Sequence, residues 1–282
     1  MRPMNEQTML ITGATDGLGR RLAERLAAAG ARVVMHGRDA RRIARAHDEV
    51  VAATGNEKTE TVLADLASLA AVDSLATELE RRFSRLDVLV NNAGIGAGPD
   101  IETRQESPDG IELRFAVNYL AGAHLSRRLI PLITRSAPAR IVNIASAGQS
   151  AIDFDDPLIT DAYSGVRAYR QSKLAQVMLT LDLAEELRER GVTVNAIHPA
   201  TFMNTTMVRD WNVTPVSTVE EGVEATMRLI GDERFGQLSG CYVNTTREDR
   251  ADPQAYDLEA RRRLRALSED LIARALHPRA AG

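Results

Sequence analysis

Met9-Leu10-Ile11-Thr12-Gly13-Ala14-Thr15-Asp16-Gly17-Leu18-Gly19 carries an apolar, strand-like run directly into an Ala/Leu-rich amphipathic helix, with only a glycine-punctuated turn between them. The three glycines suit three jobs: a tight turn, close backbone approach to a pyrophosphate, and close packing of helix on strand. The helix start then presents free N–H groups and the positive end of its dipole to the phosphates. Three glycines alone could mark no more than a sharp structural turn. The strand before and the helix after are what point to a phosphate-binding turn.

Outward from this turn, β-branched runs alternate with longer Ala/Leu/Arg/Glu helical patterns, which predicts a parallel sheet covered on both faces. Strands are expected at Met9–Thr12, Arg32–His36, Thr61–Ala64, Asp87–Asn91, Arg140–Ala145, Thr193–His198 and Cys241–Asn244. Helices are expected near Gly17–Ala29, Ala40–Ala53, Leu69–Phe83, Ile111–Ile133, Arg167–Arg190 and Val219–Ile230. The expected fold is a single doubly wound α/β domain of about seven strands, with its core at residues 8–245 and a helical extension at 250–282. Gly96–Asp109 and Ala147–Ala162 leave the carboxyl ends of strands, where open α/β sheets bind ligands. Pro199–Thr218 is long for a connection and reads as a lid.

The 282 residues are 44% hydrophobic and 26% charged, with a net charge of −4 and one cysteine, Cys241. One thiol excludes an intramolecular disulfide framework and cysteine-rich zinc or iron–sulfur sites. The histidines lack metal-ligand spacing, so no metal is expected. Mild acidity offers no field for nucleic acid, and the Arg261–Arg265 cluster, flanked by Glu259, Glu269 and Asp270, reads as a solvated helix. Met1–Gln7 is polar and no apolar run reaches the 18 or so residues of a membrane span. A cytoplasmic protein, with no nucleic-acid or membrane partner, is expected.

The glycine spacing is GxxxGxG, and further pieces follow in order: Asn91-Asn92-Ala93-Gly94, Asn118, Ser146, and Tyr169-Arg170-Gln171-Ser172-Lys173. In these five motifs the sequence resembles the short-chain dehydrogenase/reductase family across residues 8–245. Asp109-Gly110-Ile111-Glu112-Leu113, Tyr163-Ser164-Gly165, Gln171-Ser172-Lys173-Leu174-Ala175 and Ile197-His198-Pro199 are similar to its retinol-dehydrogenase-like and protochlorophyllide-reductase-like branches. The resemblance implies a single-domain Rossmann fold and an NAD(P)-dependent oxidoreductase acting on CH–OH or C=O groups.

Cofactor-binding positions then fall on Gly13, Thr15, Asp16, Gly17, Leu18, Gly19, Arg38, Asp65, Leu66, Asn92, Ala93, Gly94, Pro199 and Thr205, with Tyr169 and Lys173 shared by the chemistry. An acid at the end of the second strand selects NAD through the ribose hydroxyls. The resemblance aligns Gly37 with that slot, and Arg38 supplies a planar cation suited to a 2′-phosphate, so NADP is favoured over NAD. A slipped alignment onto Asp39 favours NAD instead; its other reading is a helix cap. The acid Asp16 stands where some NADP-specific members carry a basic residue. Asp65 either bonds the adenine amino group, as the resemblance implies, or caps a helix. Asn92, Ala93 and Gly94 would run along the adenosine ribose.

Tyr169 and Lys173 lie four residues apart and share a helix face. An adjacent ammonium favours phenolate, which makes Tyr169 the candidate general acid/base. Tyr163 is a rival, but its partner at the same spacing is Arg167, which does not replace a lysine. Ser146, or less favourably Ser150, would donate to the substrate oxygen. Asn118 is implied to sit in a helix distortion and hold a water in a relay to Lys173, or else only packs. His198 reads as structural. Phe202, Met203, Met207 and Trp211 line an apolar substrate pocket or form the lid's own core. The long Arg167–Arg190 helix has apolar surface to spare, and its family counterpart often builds a dimer, so a homodimer or homotetramer is expected. Two rival functions are a nucleotide-binding regulator, which leaves Ser146, Tyr169 and Lys173 unexplained, and a cofactor-free lyase or dehalogenase, which the intact glycine turn opposes.

Overall fold

The computed structural model describes residues 1–277. Seven parallel strands form the sheet: β1 (Thr8–Ile11), β2 (Arg32–Gly37), β3 (Glu60–Leu63), β4 (Val88–Asn91), β5 (Ala139–Ile144), β6 (Val192–His198) and β7 (Cys241–Asn244). An eighth, β8 (Arg247–Asp249), pairs antiparallel with β7, and the order is β3-β2-β1-β4-β5-β6-β7-β8. The order reverses between β1 and β4, and this switch point opens the crevice that doubly wound sheets use for ligands. β8 was not expected: its three residues are all exposed and polar, so no apolar alternation marks it. Its two-residue turn, with Thr245 at φ 56°, lacks the Asn-Gly or Gly signal of a tight hairpin.

Strand side chains alternate between two cores. Leu10, Val34, Leu89, Ile141 and Val194 face one side, while Met9, Ile11, Val33, Met35, Val90, Val142 and Ile197 face the other. The second side is covered by α1 (Gly17–Ala28), α2 (Ala40–Thr54) and α7 (Val219–Gly231). The first is covered by α3 (Leu69–Arg82), α4 (Ala121–Arg135) and α5 (Gly165–Leu187). Two short helices, α6 (Thr206–Asp210) and α8 (Glu233–Gly236), complete the connections. Continuous burial on both faces is why these strands read as apolar runs. Strand and helix limits agree with the expected ones to within three residues, with one exception: Ile111–Ile133 is not one uniform helix. Phe115–Leu120 is π-helical before α4 begins, a distortion that apolar periodicity does not reveal.

The C-terminal extension has its own helix, α9 (Leu258–Leu276), laid over α5 and the π-helical segment. Tyr119 Oη and Ser268 Oγ are 2.8 Å apart, and Arg261 Nη1 donates to Asp182 Oδ1 at 2.9 Å. Leu264 is buried there, and Leu267 and Leu271 pack against the same core. The spare apolar face of α5, read from the sequence as a surface for a second copy, is thus covered by this chain itself. Residues 278–282 of the expected extension lie outside the described residues. Among the described residues no helix is long and apolar enough to cross a membrane, and no cluster of acidic, histidine or cysteine side chains has metal-holding geometry.

Arg261 and Asp182 each keep only 10% of their side chains exposed. Removing one partner leaves the other charge buried. Asp182→Ala is therefore expected to destabilise the protein by about 3 kcal/mol, read from the midpoint of chemical denaturation.

Candidate active site

The turn after β1 is built on close backbone contacts. A Cβ on Gly13, whose φ is 67°, would lie 2.8 Å from Ala93 Cα, and one on Gly19 would lie 2.4 Å from both Gly13 O and Asn92 Nδ2. Asn92 fastens the turn from the end of β4: its Nδ2 donates to Thr12 O at 2.8 Å and Gly13 O at 3.1 Å. Asn92 also lines the cavity, so its side chain serves the turn from within the wall.

His36, unremarked in the sequence, supports the same turn from β2. Its Nδ1 accepts from the Gly13 N–H at 3.2 Å and its Nε2 donates to Ala64 O at 3.1 Å. Burial lowers its pKa to about 4, so it is neutral. Nothing but its place at the end of an apolar strand could have signalled this.

A cavity of about 930 Å³ lies along the carboxyl edge of the sheet. Its wall includes Gly13, Thr15, Asp16, Gly17, Leu18, Gly19, Arg38, Asp65, Leu66, Asn92, Ala93 and Gly94, and also Ser146, Tyr169, Lys173, Pro199 and Thr205, with Gly94 close to Lys173 and Gly17 close to Thr205. The expected residues therefore meet in one space, apart from Asn118, which sits just behind it.

Three details bear on nucleotide binding. Gly37 has no room for a side chain, since a Cβ there would lie 2.6 Å from Thr15 Cγ2. Asp39 is the N-cap of α2, accepting from the Arg42 N–H at 2.9 Å, and lies outside the cavity wall. Arg42, missed in the sequence, lines the cavity with Arg38 from the first turn of α2.

Asp16 caps α1 by accepting from Gly17 N at 2.7 Å and takes the Thr206 hydroxyl at 2.6 Å. Burial tends to raise its pKa, but these bonds and the nearby Arg42 and Arg209 outweigh it, so the carboxyl is held below its usual range. Asp65 accepts from Ala67 N at 3.0 Å in the turn before α3, whose N-cap is Ser68, and also lines the cavity.

Lys173 Nζ donates to Ile144 O at 2.8 Å and Gln176 Oε1 at 2.9 Å, and lies 5.8 Å from the Tyr169 ring centroid. Burial lowers Lys173 to about 7. Burial also raises the Tyr169 pKa, against the lowering effect of the Ser146 hydroxyl. The expected lowering of Tyr169 by Lys173 is thus corrected for the chain by itself, because desolvation dominates both groups. Ser146 Oγ accepts from Gly148 N at 3.0 Å and lies in the cavity wall; Ser150 does not.

Asn118 does sit in a helix distortion. Its Oδ1 accepts from Ile95 N at 2.7 Å, and its Nδ2 donates to Ile95 O at 3.1 Å and Ser172 Oγ at 2.9 Å. Its side chain therefore ties the β4 exit to α5. The rival Tyr163 is locked away, donating to Glu112 Oε1 and accepting from Arg114 Nη1, both at 2.9 Å, and burial beside Glu112 raises its pKa. His198, lowered by burial and by Lys173, faces Thr201 Oγ1 at 3.0 Å.

All four expected apolar residues of the segment 199–218 line the cavity. Trp211 meets Tyr169 edge to face at 5.4 Å, and Met207 lies against Gly96. Met203 also packs on Gly222 of α7, and Phe202 is 42% exposed with φ 42°. Thr205 lines the cavity, and its hydroxyl oxygen caps α6, accepting from Val208 N at 3.4 Å.

Residues 7–215 match the family described as short chain dehydrogenase. Human retinol dehydrogenase 13 is 33% identical over 284 residues, covering 94% of this chain and 84% of its own. Among solved structures, the RhlG/NADP active-site complex of Pseudomonas aeruginosa is 31% identical with a TM-score of 0.70, over 86% of this chain and 97% of that one. The NADH complex of 3-ketoacyl-(acyl-carrier-protein) reductase from Brucella melitensis is 25% identical with a TM-score of 0.69, over 86% and 97%.

The turn's dependence on neutral His36 has a pH signature. With a folded pKa near 4 against 6.5 unfolded, the unfolded state binds the proton first as pH falls. Stability is full above pH 6.5 and declines toward pH 4, by about 3 kcal/mol in all from this group. Denaturation midpoints across that window should show the slope, and His36→Gln should flatten it.

Proposed function

The chain belongs to the short-chain dehydrogenase family, and we propose that within it this protein is an NADP-dependent oxidoreductase of carbonyl or alcohol groups on hydrophobic small molecules. The observation that carries this reading is that Ser146, Tyr169 and Lys173 open onto the same cavity as the glycine turn. The residues present fit a dinucleotide: the turn admits close backbone approach, the N-terminus of α1 faces the cavity, and Gly37 leaves no acid at the ribose position. Arg38 and Arg42 would hold the 2′-phosphate, which is what favours NADP here, since the similar structures include both an NADP and an NADH complex.

The nicotinamide supplies or accepts the hydride when bound. Tyr169 gives a proton to the carbonyl oxygen in reduction and takes one from the alcohol in oxidation. Ser146 donates a hydrogen bond to the same oxygen as its charge develops. Lys173 binds the nicotinamide ribose and, as an ammonium, favours the phenolate once Tyr169 has released its proton. Asn118 positions the β4 exit against Ser172, the residue before this lysine. Trp211 and Met207 give the pocket its apolar wall, and the segment 199–218 acts as a lid that excludes water. The single thiol keeps the cytoplasm as the proposed place of action.

Absorbance of reduced nicotinamide tests this, with NADPH and NADH offered against aliphatic aldehydes, aryl ketones and retinaldehyde. NADPH oxidation with the more apolar carbonyls is expected. Saturable nucleotide binding without turnover on any carbonyl or alcohol would instead point to a regulator of the same fold. Tyr169→Phe should cut kcat by about 100-fold or more while the protein still binds NADPH. Arg38→Ala should raise KM for NADPH by about 10-fold and leave that for NADH nearly unchanged, in steady-state kinetics with each nucleotide.

A further inference from the structure

Two of the three Lys173 ammonium donors are committed to neutral acceptors before any ligand arrives, Ile144 O at 2.8 Å and Gln176 Oε1 at 2.9 Å. Gln176 follows Lys173 by three residues on α5, the spacing that puts two side chains on one face. It is 3% exposed, and a buried carboxamide is costly unless it is bonded.

The stretch of α5 that carries this acceptor is tied to the sheet. Thr180 Oγ1 donates to the Gln176 backbone carbonyl at 2.8 Å and accepts from Asn143 Nδ2 at 2.8 Å. Asn143 Oδ1 in turn accepts from Asn91 Nδ2 at 2.8 Å, across the paired ends of β4 and β5. All five side chains from Lys173 to Asn91 are buried. A lysine held this way keeps one N–H for the cavity it lines, with Gly94 beside it: a Cβ there would lie 3.6 Å from Nζ.

We propose that Gln176 is a positioning residue for Lys173: its amide oxygen, with the Ile144 carbonyl, fixes Nζ at the cavity floor and sets the pH range over which the lysine carries its charge. This rests on the reading of Tyr169 and Lys173 as the proton-handling pair. The titratable groups facing Nζ are Tyr169 on the same helix and His198 at the end of β6. β5 offers the Ile144 carbonyl, and the π-helical segment offers Asn118, which is neutral. Among the described residues no carboxylate bonds to Nζ, so its bonds to Ile144 O and Gln176 Oε1 stabilise the ammonium against burial, which brings Lys173 to about 7.

Gln176→Glu and Gln176→Met test the proposal, the first placing a charge beside Nζ and the second keeping the length without an acceptor. The pH dependence of kcat/KM for carbonyl reduction should show its alkaline limb moved up by about one unit in Gln176→Glu and down in Gln176→Met. The same displacements should appear, without turnover, in the pH dependence of the NADPH Kd. A uniform loss of rate with both the limb and the Kd profile unmoved in the folded variants overturns the role of Gln176, and either variant alone suffices for that reading. Unimpaired turnover by Tyr169→Phe overturns the proton-handling pair instead, while the Kd profiles still decide on Gln176.

Discussion

Everything at the carboxyl edge of this sheet depends on how closely two pieces of backbone approach. The turn after β1 lies against the exit of β4 with so little space that Gly13 has no room for a methyl group beside Ala93, and Gly19 none beside Gly13 O. Asn92 closes the gap by bonding to two carbonyls of the turn, and His36 holds its first amide from the other side. Because β1 and β4 are neighbours at the point where strand order reverses, this contact sets the floor of the crevice. The N-terminus of α1 points into the crevice only because the turn is this tight.

Polar groups are buried in quantity around that floor, and nearly all are paired. Asn91, Asn143, Thr180 and Gln176 form a continuous chain behind Lys173, and Asn118 ties the β4 exit to α5. Such networks are costly when incomplete and rigid when satisfied. Rigidity here fixes the one buried lysine and the tyrosine above it. The segment over them is held more lightly, by an exposed bond from Thr206 to Asp16 and by Met203 seated on α7. A firm floor under a loosely fastened cover suits a site that must admit and release ligands.

Most of the architecture was legible in the chain. Alternating apolar runs and amphipathic helices located seven strands and the helices between them, because burial on both faces leaves a mark at each position. Elements without that mark are not found this way: β8 is charged and exposed, and the distortion at Phe115–Leu120 was implied at Asn118 by the family resemblance and not by its periodicity. Of the candidate site, Tyr169, Lys173, Ser146 and the glycines were readable from spacing and order. His36 and Gln176 were not, since a single polar residue in an apolar element is silent until its partner is known. The expected help from Lys173 to Tyr169 also failed in the chain by itself, because spacing registers proximity and not the cost of burial.

The sequence by itself determined the fold class, the phosphate-binding turn and the tyrosine–lysine spacing, since each rests on local chain geometry with a fixed period. Tertiary structure alone decided which neighbours complete them. It covered the apolar face of α5 with α9, brought His36 to the Gly13 amide, joined Asn118 to Ser172 and set Lys173 Nζ on the Ile144 carbonyl. Those outcomes join residues far apart in the chain or depend on how much water remains around a charge, and neither is written in the spacing of residues along one element.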